Sequence, residues 1–125
     1  YLEATGGRKD KIIFGLSNDY GGTEWTCRGD GPRAPIVGKP RRLGAAEARA
    51  KAEKHGRLFD DRQKAPWYRY RDGEHWVQGW YEDEESLKAK LEWLRGQGVA
   101  GICLWVLDAK EPPETYRLLA EGRSK

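Results

Sequence analysis

The sequence has no methionine, two cysteines, two histidines, two phenylalanines and no long apolar run. Each scarcity excludes something. Cys27 and Cys103 lie far apart without a C-x-x-C partner, and His75 has no second ligand near it, so a zinc or other metal site is not expected. Two free thiols and a single disulfide both fit that pair of cysteines, although Cys103 in an apolar run behaves as a small hydrophobe. No apolar stretch is long enough to cross a bilayer and no charged-then-apolar leader opens the chain, so a membrane is not an expected partner. The 23 basic and 20 acidic residues are scattered together for a net charge of +3. No basic run is long enough to track a phosphate backbone, and nucleic acid is not an expected partner either. Tyr1, rather than a methionine, begins the chain, which fits a mature, trimmed or excised segment.

Aromatics are what the sequence does have, with six Trp and six Tyr in 125 residues. At 34% charged the chain is polar, yet disordered segments are poor in aromatics, so it is read as folded. Its length fits one domain that buries about two thirds of its unfolded surface.

KIIFGLSN at 11–18 reads as a buried strand. The Gly-, Pro- and Arg-rich stretch from about residue 20 to 42 has no sustained period and is expected to be a long loop with a short extended piece at APIV. LGAAEARAKAEKHG at 43–56 predicts a helix stopped by Gly56. RLFDD at 57–61 fits a short strand.

PWYRYRDGEHWVQGWYE at 66–82 places Asp72-Gly73 between two aromatic runs, a tight hairpin signal. A turn on that pair sets Arg69 opposite Trp76 and Tyr68 opposite Val77, with His75 as a cross-strand partner of Tyr70. Trp67, Arg69, Trp76 and Trp80 then share one face, and Tyr68, Tyr70, His75 and Tyr81 share the other. Arg69 over Trp76 is expected as a cation–π pair. DEESLKAKLEWLRGQG at 83–98 predicts a helix capped by Asp83, with Leu87, Leu91 and Leu94 on its buried stripe. VAGICLWVLD at 99–108 has the near-continuous apolar character of a parallel strand covered on both faces. EPPETYRLLAEG ends the chain in a helix with Tyr116, Leu118 and Leu119 inward.

The order is thus a βα unit interrupted by an α+β insertion, followed by a second βα unit. Together with the local sequences it resembles the C-terminal portion of family 18 glycoside hydrolases, in particular bacterial chitinase-like and spore-cortex-lytic N-acetylglucosaminidases. KIIFGLSNDYGGTEW is similar to that family's seventh barrel strand, with its K-I-x-x-G-x-P-x-Y-G-x-x-W pattern, although Ser17 replaces the Pro and one extra residue precedes Tyr20. Asp83, Ser86 and Lys90 match the seventh helix, and Gly101 and Trp105 the eighth strand. The resemblance runs from about residue 9 to 119. It implies an α/β fold: a partial (β/α)8 barrel, the last two βα units, formed by residues 1–25 and 83–125, with a loop and small α+β insertion at 26–82.

The resemblance also implies substrate-assisted hydrolysis of β-1,4-linked N-acetylglucosamine polymers, chitin or peptidoglycan, an exception to the two-carboxylate scheme. The family's Asp-x-x-Asp-x-Asp-x-Glu motif, whose Glu is the general acid, occurs nowhere in this sequence, nor does its sixth-strand Tyr-Asp. No catalytic residue is therefore assigned, and no cofactor is expected. Glu82 to Glu85 read as a solvated helix start.

The expected substrate contacts are Trp105, Tyr20, Trp25 and Asp108. By resemblance, Trp105 floors the subsite of the reacting sugar, where a rigid indole offers an apolar platform to a pyranose ring. The residue pattern alone equally fits a core Trp of a closed barrel. Tyr20 and Trp25, just past the seventh strand, are second candidates, although a Trp on such a loop can also pack it down. Asp108 either touches ligand at the barrel rim or caps the turn before Pro112. Trp67, Trp76 and Trp80 form either a stacking wall for a longer glycan or the core of the insertion itself.

Three readings follow: part of a hydrolase that supplies the sugar-binding wall but not the acid, a non-catalytic carbohydrate-binding module, or a structural half-barrel. The first and the last would associate with the missing N-terminal barrel portion or with a second copy. Polymers of this kind place the protein outside the cytoplasm, at a cell wall or on a spore.

Overall fold

The computed structural model describes residues 2–17, 19–105 and 113–121. They fall into two compact units, one built from residues up to Asp19 and from Glu84 onward, the other from Tyr20–Asp83.

In the first unit, β1 (Ile13–Ser17) and β7 (Gly101–Trp105) pair in parallel, from Ile13 opposite Gly101 to Ser17 opposite Trp105. Two helices accompany them, α2 (Glu84–Arg95) and α3 (Pro113–Glu121). The leucine stripe of α2 is buried as its spacing predicts, through Leu87, Leu91 and Leu94. Arg117 on α3 reaches the carboxylate of Glu84 on α2 at 3.1 Å. Asp83, the expected cap of α2, receives the Arg57 guanidinium at 2.8 Å.

Among the described residues neither strand meets cover on both faces, whereas the apolar runs predict burial. On β7, Ile102 and Leu104 line an open cavity of about 820 Å³ together with Leu91, Leu94 and Leu118 from the two helices. The alternate residues Cys103 and Trp105 are exposed, as are Ile13, Gly15 and Ser17 on β1. Side chains alternate across a strand, and the helices here cover one side only. Hydrophobic composition reports that a strand can be buried, not what arrives to bury it. Phe14, on the helix side, meets Trp93 edge-on with ring centres 6.3 Å apart. Tyr116, Leu118 and Leu119 line the same cavity as expected, although Tyr116 stays 46% exposed, and Thr115 and Leu118 are the buried residues of α3.

The second unit is an antiparallel five-stranded sheet in the order β3-β2-β6-β5-β4. Its strands are β2 (Gly22–Cys27), β3 (Arg41–Leu43), β4 (Leu58–Asp60), β5 (Ala65–Asp72) and β6 (His75–Tyr81). The expected long loop at 20–42 therefore holds two strands. Gly22 lies so close to β6 that an added Cβ would sit 2.0 Å from the Trp80 carbonyl, and Ile36 bridges to Cys27. Because β2 pairs with β3 and β6, it clusters with this unit, and the observed division falls after Asp19 rather than after residue 25.

The hairpin turns on Gly73-Glu74 rather than Asp72-Gly73. Gly73 takes φ 57°, which glycine adopts without strain, and the first pair is Asp72 with His75. Arg69 consequently faces Gln78, Arg71 faces Trp76, and Tyr70 faces Val77 instead of His75. The displacement is by an even step, so the two faces keep the residues expected of them.

Helix α1 (Ala45–His55) packs Ala48 and Ala52 against Leu43, Tyr68 and Tyr81. Within this layer Glu24 is 6% exposed. Its carboxylate accepts from Lys51 Nζ at 2.5 Å, Arg41 Nη2 at 2.6 Å and the Tyr68 hydroxyl at 2.8 Å. Burial pushes Glu24 up, but hydrogen bonds from Lys51, Arg41 and Tyr68 outweigh it and hold the carboxylate below its ordinary range. Burial, then the bond to Glu24, pushes the Tyr68 phenol well up.

Two outcomes follow for stability. Gly79→Ala would place a Cβ 2.1 Å from Tyr68 Cζ; a cost of about 3 kcal/mol is expected in urea unfolding, the range for overpacking. A depressed folded pKa contributes stability that is complete above the unfolded value, about 4.3 for Glu. That contribution fades as pH falls through the lower folded value. The native chain should accordingly lose stability in this acid window, and Glu24→Gln should be weaker at pH 7 yet show a shallower acid decline. Parallel pH profiles of the two proteins would contradict the assignment.

Candidate functional site

Trp105 is the last residue of β7 and 76% exposed, the most open of the large apolar side chains among the described residues. Ladder pairing with Ser17 fixes its backbone, and it shares a strand face with exposed Cys103, on the side away from the helices. Asp108 lies outside the described residues.

Tyr20 and Trp25 belong to the other unit. Tyr20 is 4% exposed with φ 51°, a left-handed conformation uncommon for a residue with a side chain. Trp25 is partly exposed on β2, opposite Gln78. Its place in the ladder puts it on the sheet face that carries Trp67, Trp76 and Trp80, opposite the face that α1 covers.

That second face is an aromatic and cationic layer. Trp67 and Trp80 stack with centres 5.1 Å apart and planes 8° from parallel. Arg69 lies over Trp67 at 5.7 Å and, as expected, over Trp76 at 5.8 Å, while Arg71 lies over Trp76 at 5.7 Å. Gln78, buried beneath them, donates to the carbonyls of Gly29 and Gly31 and accepts from Trp80 Nε1 at 3.2 Å. Trp67 is 5% exposed and acts as core, whereas Trp76 and Trp80 remain partly open.

Sequence reasoning missed Glu24, Gln78 and Arg71. Alternation in GTEWTC was the available signal for Glu24, because it puts the carboxylate on the face opposite Trp25. Asp10, Glu24 and Glu47 are all held below the ordinary carboxylate range by hydrogen bonds from Arg8, from Lys51 and Arg41, and from Arg41 respectively. A general acid needs the opposite displacement. Cys27 is buried, Cys103 is exposed, and both are free. Among the described residues no group of three or more His, Cys, Asp or Glu is placed to hold a metal ion, and no helix is long and apolar enough to cross a membrane.

No protein-family model matches the chain. Human di-N-acetylchitobiase is 35% identical over 51 residues, 40% of this chain and 13% of that protein. Among solved structures, the spore cortex-lytic enzyme SleL of Bacillus megaterium QM B1551 superposes with a TM-score of 0.64 at 23% identity, covering 98% of this chain and 27% of that one. The Bacillus cereus SleL gives 0.68 at 24% identity, over 97% and 27% of the two chains. A GH18 chitinase from Cycas revoluta in complex with (GlcNAc)3 gives 0.69 at 18% identity, over 98% and 36%. The chain spans well under half the length of each. Its fold is accordingly that of a segment of the family 18 glycoside hydrolases, a partial (β/α)8 barrel with an α+β insertion.

Proposed function

We propose that this chain is the sugar-binding part of a family 18-like glycoside hydrolase acting on β-1,4-linked N-acetylglucosamine polymers, and that the general acid is not among its residues. The observation that carries the reading is Trp105, 76% exposed at the end of a strand whose backbone is paired to Ser17. A pyranose ring has an apolar C–H face that can lie flat on an indole, and a Trp side chain supplies a large apolar area for such a contact. The Cycas revoluta chitinase with (GlcNAc)3 and the SleL enzymes supply the polymer class. Such polymers lie outside the cytoplasm, so a secreted, cell-wall or spore location belongs to the proposal.

An assembly role is favoured by a separate observation. Among the described residues, β1 and β7 pair only with each other, and Ile13 is 65% exposed on the face that Trp105 shares. Unpaired strand edges recruit further strands. In this reading the pair joins other barrel strands, and Trp105 gains neighbours on its open side.

Calorimetric titration with N-acetylglucosamine tetramers and hexamers separates these readings. The hydrolase reading expects binding that Trp105→Ala weakens at least about tenfold, equivalent to about 1.4 kcal/mol. Folding stability should stay within about 0.5 kcal/mol, as for an exposed position. Absence of heat at millimolar sugar, with sedimentation showing a larger species, would leave the assembly role in its place.

A further inference from the structure

The aromatic face of the second unit holds a guanidinium, that of Arg71, with no ion-pair partner among the described residues. Arg69 and Arg71 both lie over the Trp76 ring, at 5.8 and 5.7 Å, but their remaining contacts differ. Arg69 pairs with the Asp30 carboxylate at 3.0 Å and donates to the Asp30 carbonyl. The hydrogen bond of Arg71 runs from Nε to the Gly73 carbonyl at 3.0 Å, and Arg71 is exposed. No carboxylate pairs with it among the described residues. Asp72 follows it in sequence but lies on the opposite sheet face, and Glu74 sits in the exposed turn.

Two contacts therefore fix this guanidinium: the indole beneath it and the carbonyl on Nε. Both leave its Nη groups as donors. A guanidinium held in place presents a fork that matches a carboxylate in two parallel hydrogen bonds, and prior ordering removes much of the entropy cost of binding. Trp76 is only partly covered, so apolar surface adjoins the charge. The field has the same sign, because the positive excess of the whole chain falls within Tyr20–Asp83 and the remaining residues balance to zero.

We propose that Arg71, held on Trp76, is a binding site for a sugar carboxylate, and that this face selects acidic amino-sugar polymers over neutral ones. The proposal rests on the reading of the chain as a glycan-binding segment and names the substrate class within it. A neutral N-acetylglucosamine polymer offers Arg71 only hydroxyl and amide groups. A cell-wall strand whose alternate sugars carry a carboxylate offers the matching anion.

The test is calorimetry on the full chain at low salt, using peptide-free strands of alternating N-acetylglucosamine and N-acetylmuramic acid. The same strands with amidated carboxyls, and neutral N-acetylglucosamine oligomers of equal length, serve as comparison. Acidic strands should bind about tenfold more tightly than either. That advantage should vanish in Arg71→Gln, survive in the control Arg62→Gln, and shrink as salt rises. Equal affinity for amidated and acidic strands, an unchanged preference in Arg71→Gln, or an equal loss in Arg62→Gln would overturn the site. If neutral oligomers still bind in those cases, the hydrolase reading stands and this one alone fails. Loss of binding to every sugar in the native chain overturns both.

Discussion

One carboxylate holds the second unit together. Glu24 stands on β2, and its three close donors come from β3, α1 and β5, so a single buried anion ties three strands and the covering helix. Removing such a charge from water is costly, and attraction offsets that cost only where donors fill most of the lone pairs. Here Lys51 and Arg41 supply charge, and Tyr68 supplies a neutral donor whose ring also fills the layer beneath α1. Among the described residues, the carboxylate that enters an ion pair on the far side of the sheet is that of Asp30, with Arg69. Aromatics and guanidinium groups occupy that side, so the polar network and the aromatic layer are two products of one strand alternation.

The first unit works by a different constraint. A parallel pair needs a crossover, and α2 provides it while covering one side of the strands. The side left open carries Trp105. Among the described residues the pleat of β7 partitions its apolar run into residues that meet helices and residues that do not.

Local signals carried much of this into the sequence. The stripe of Leu87, Leu91 and Leu94 fixed α2, Gly56 marked the end of α1, and the alternating aromatics assigned both hairpin faces correctly although the turn was displaced. What could not be read was long-range. β2 and β3 lie in a stretch rich in Gly, Pro and Arg, and they become strands only because β6 is there to pair with them. The partners of Glu24 stand 17, 27 and 44 residues away, a juxtaposition that no spacing rule reveals. The second face of β1 and β7 meets nothing among the described residues, so what would cover their apolar runs lies beyond what local sequence signals can name.

The even displacement of the hairpin exposes a problem of uniqueness. Two alignments of β5 against β6 that differ by an even step present identical aromatic and phenolic faces, so burial cannot choose between them. Gly79 can. It is the one position on β6 with no side chain, and the ring of Tyr68 lies directly across it. In the competing alignment that ring would meet Val77. The absent side chain therefore works as a notch into which one ring fits, and it converts a degenerate pairing into a single native one.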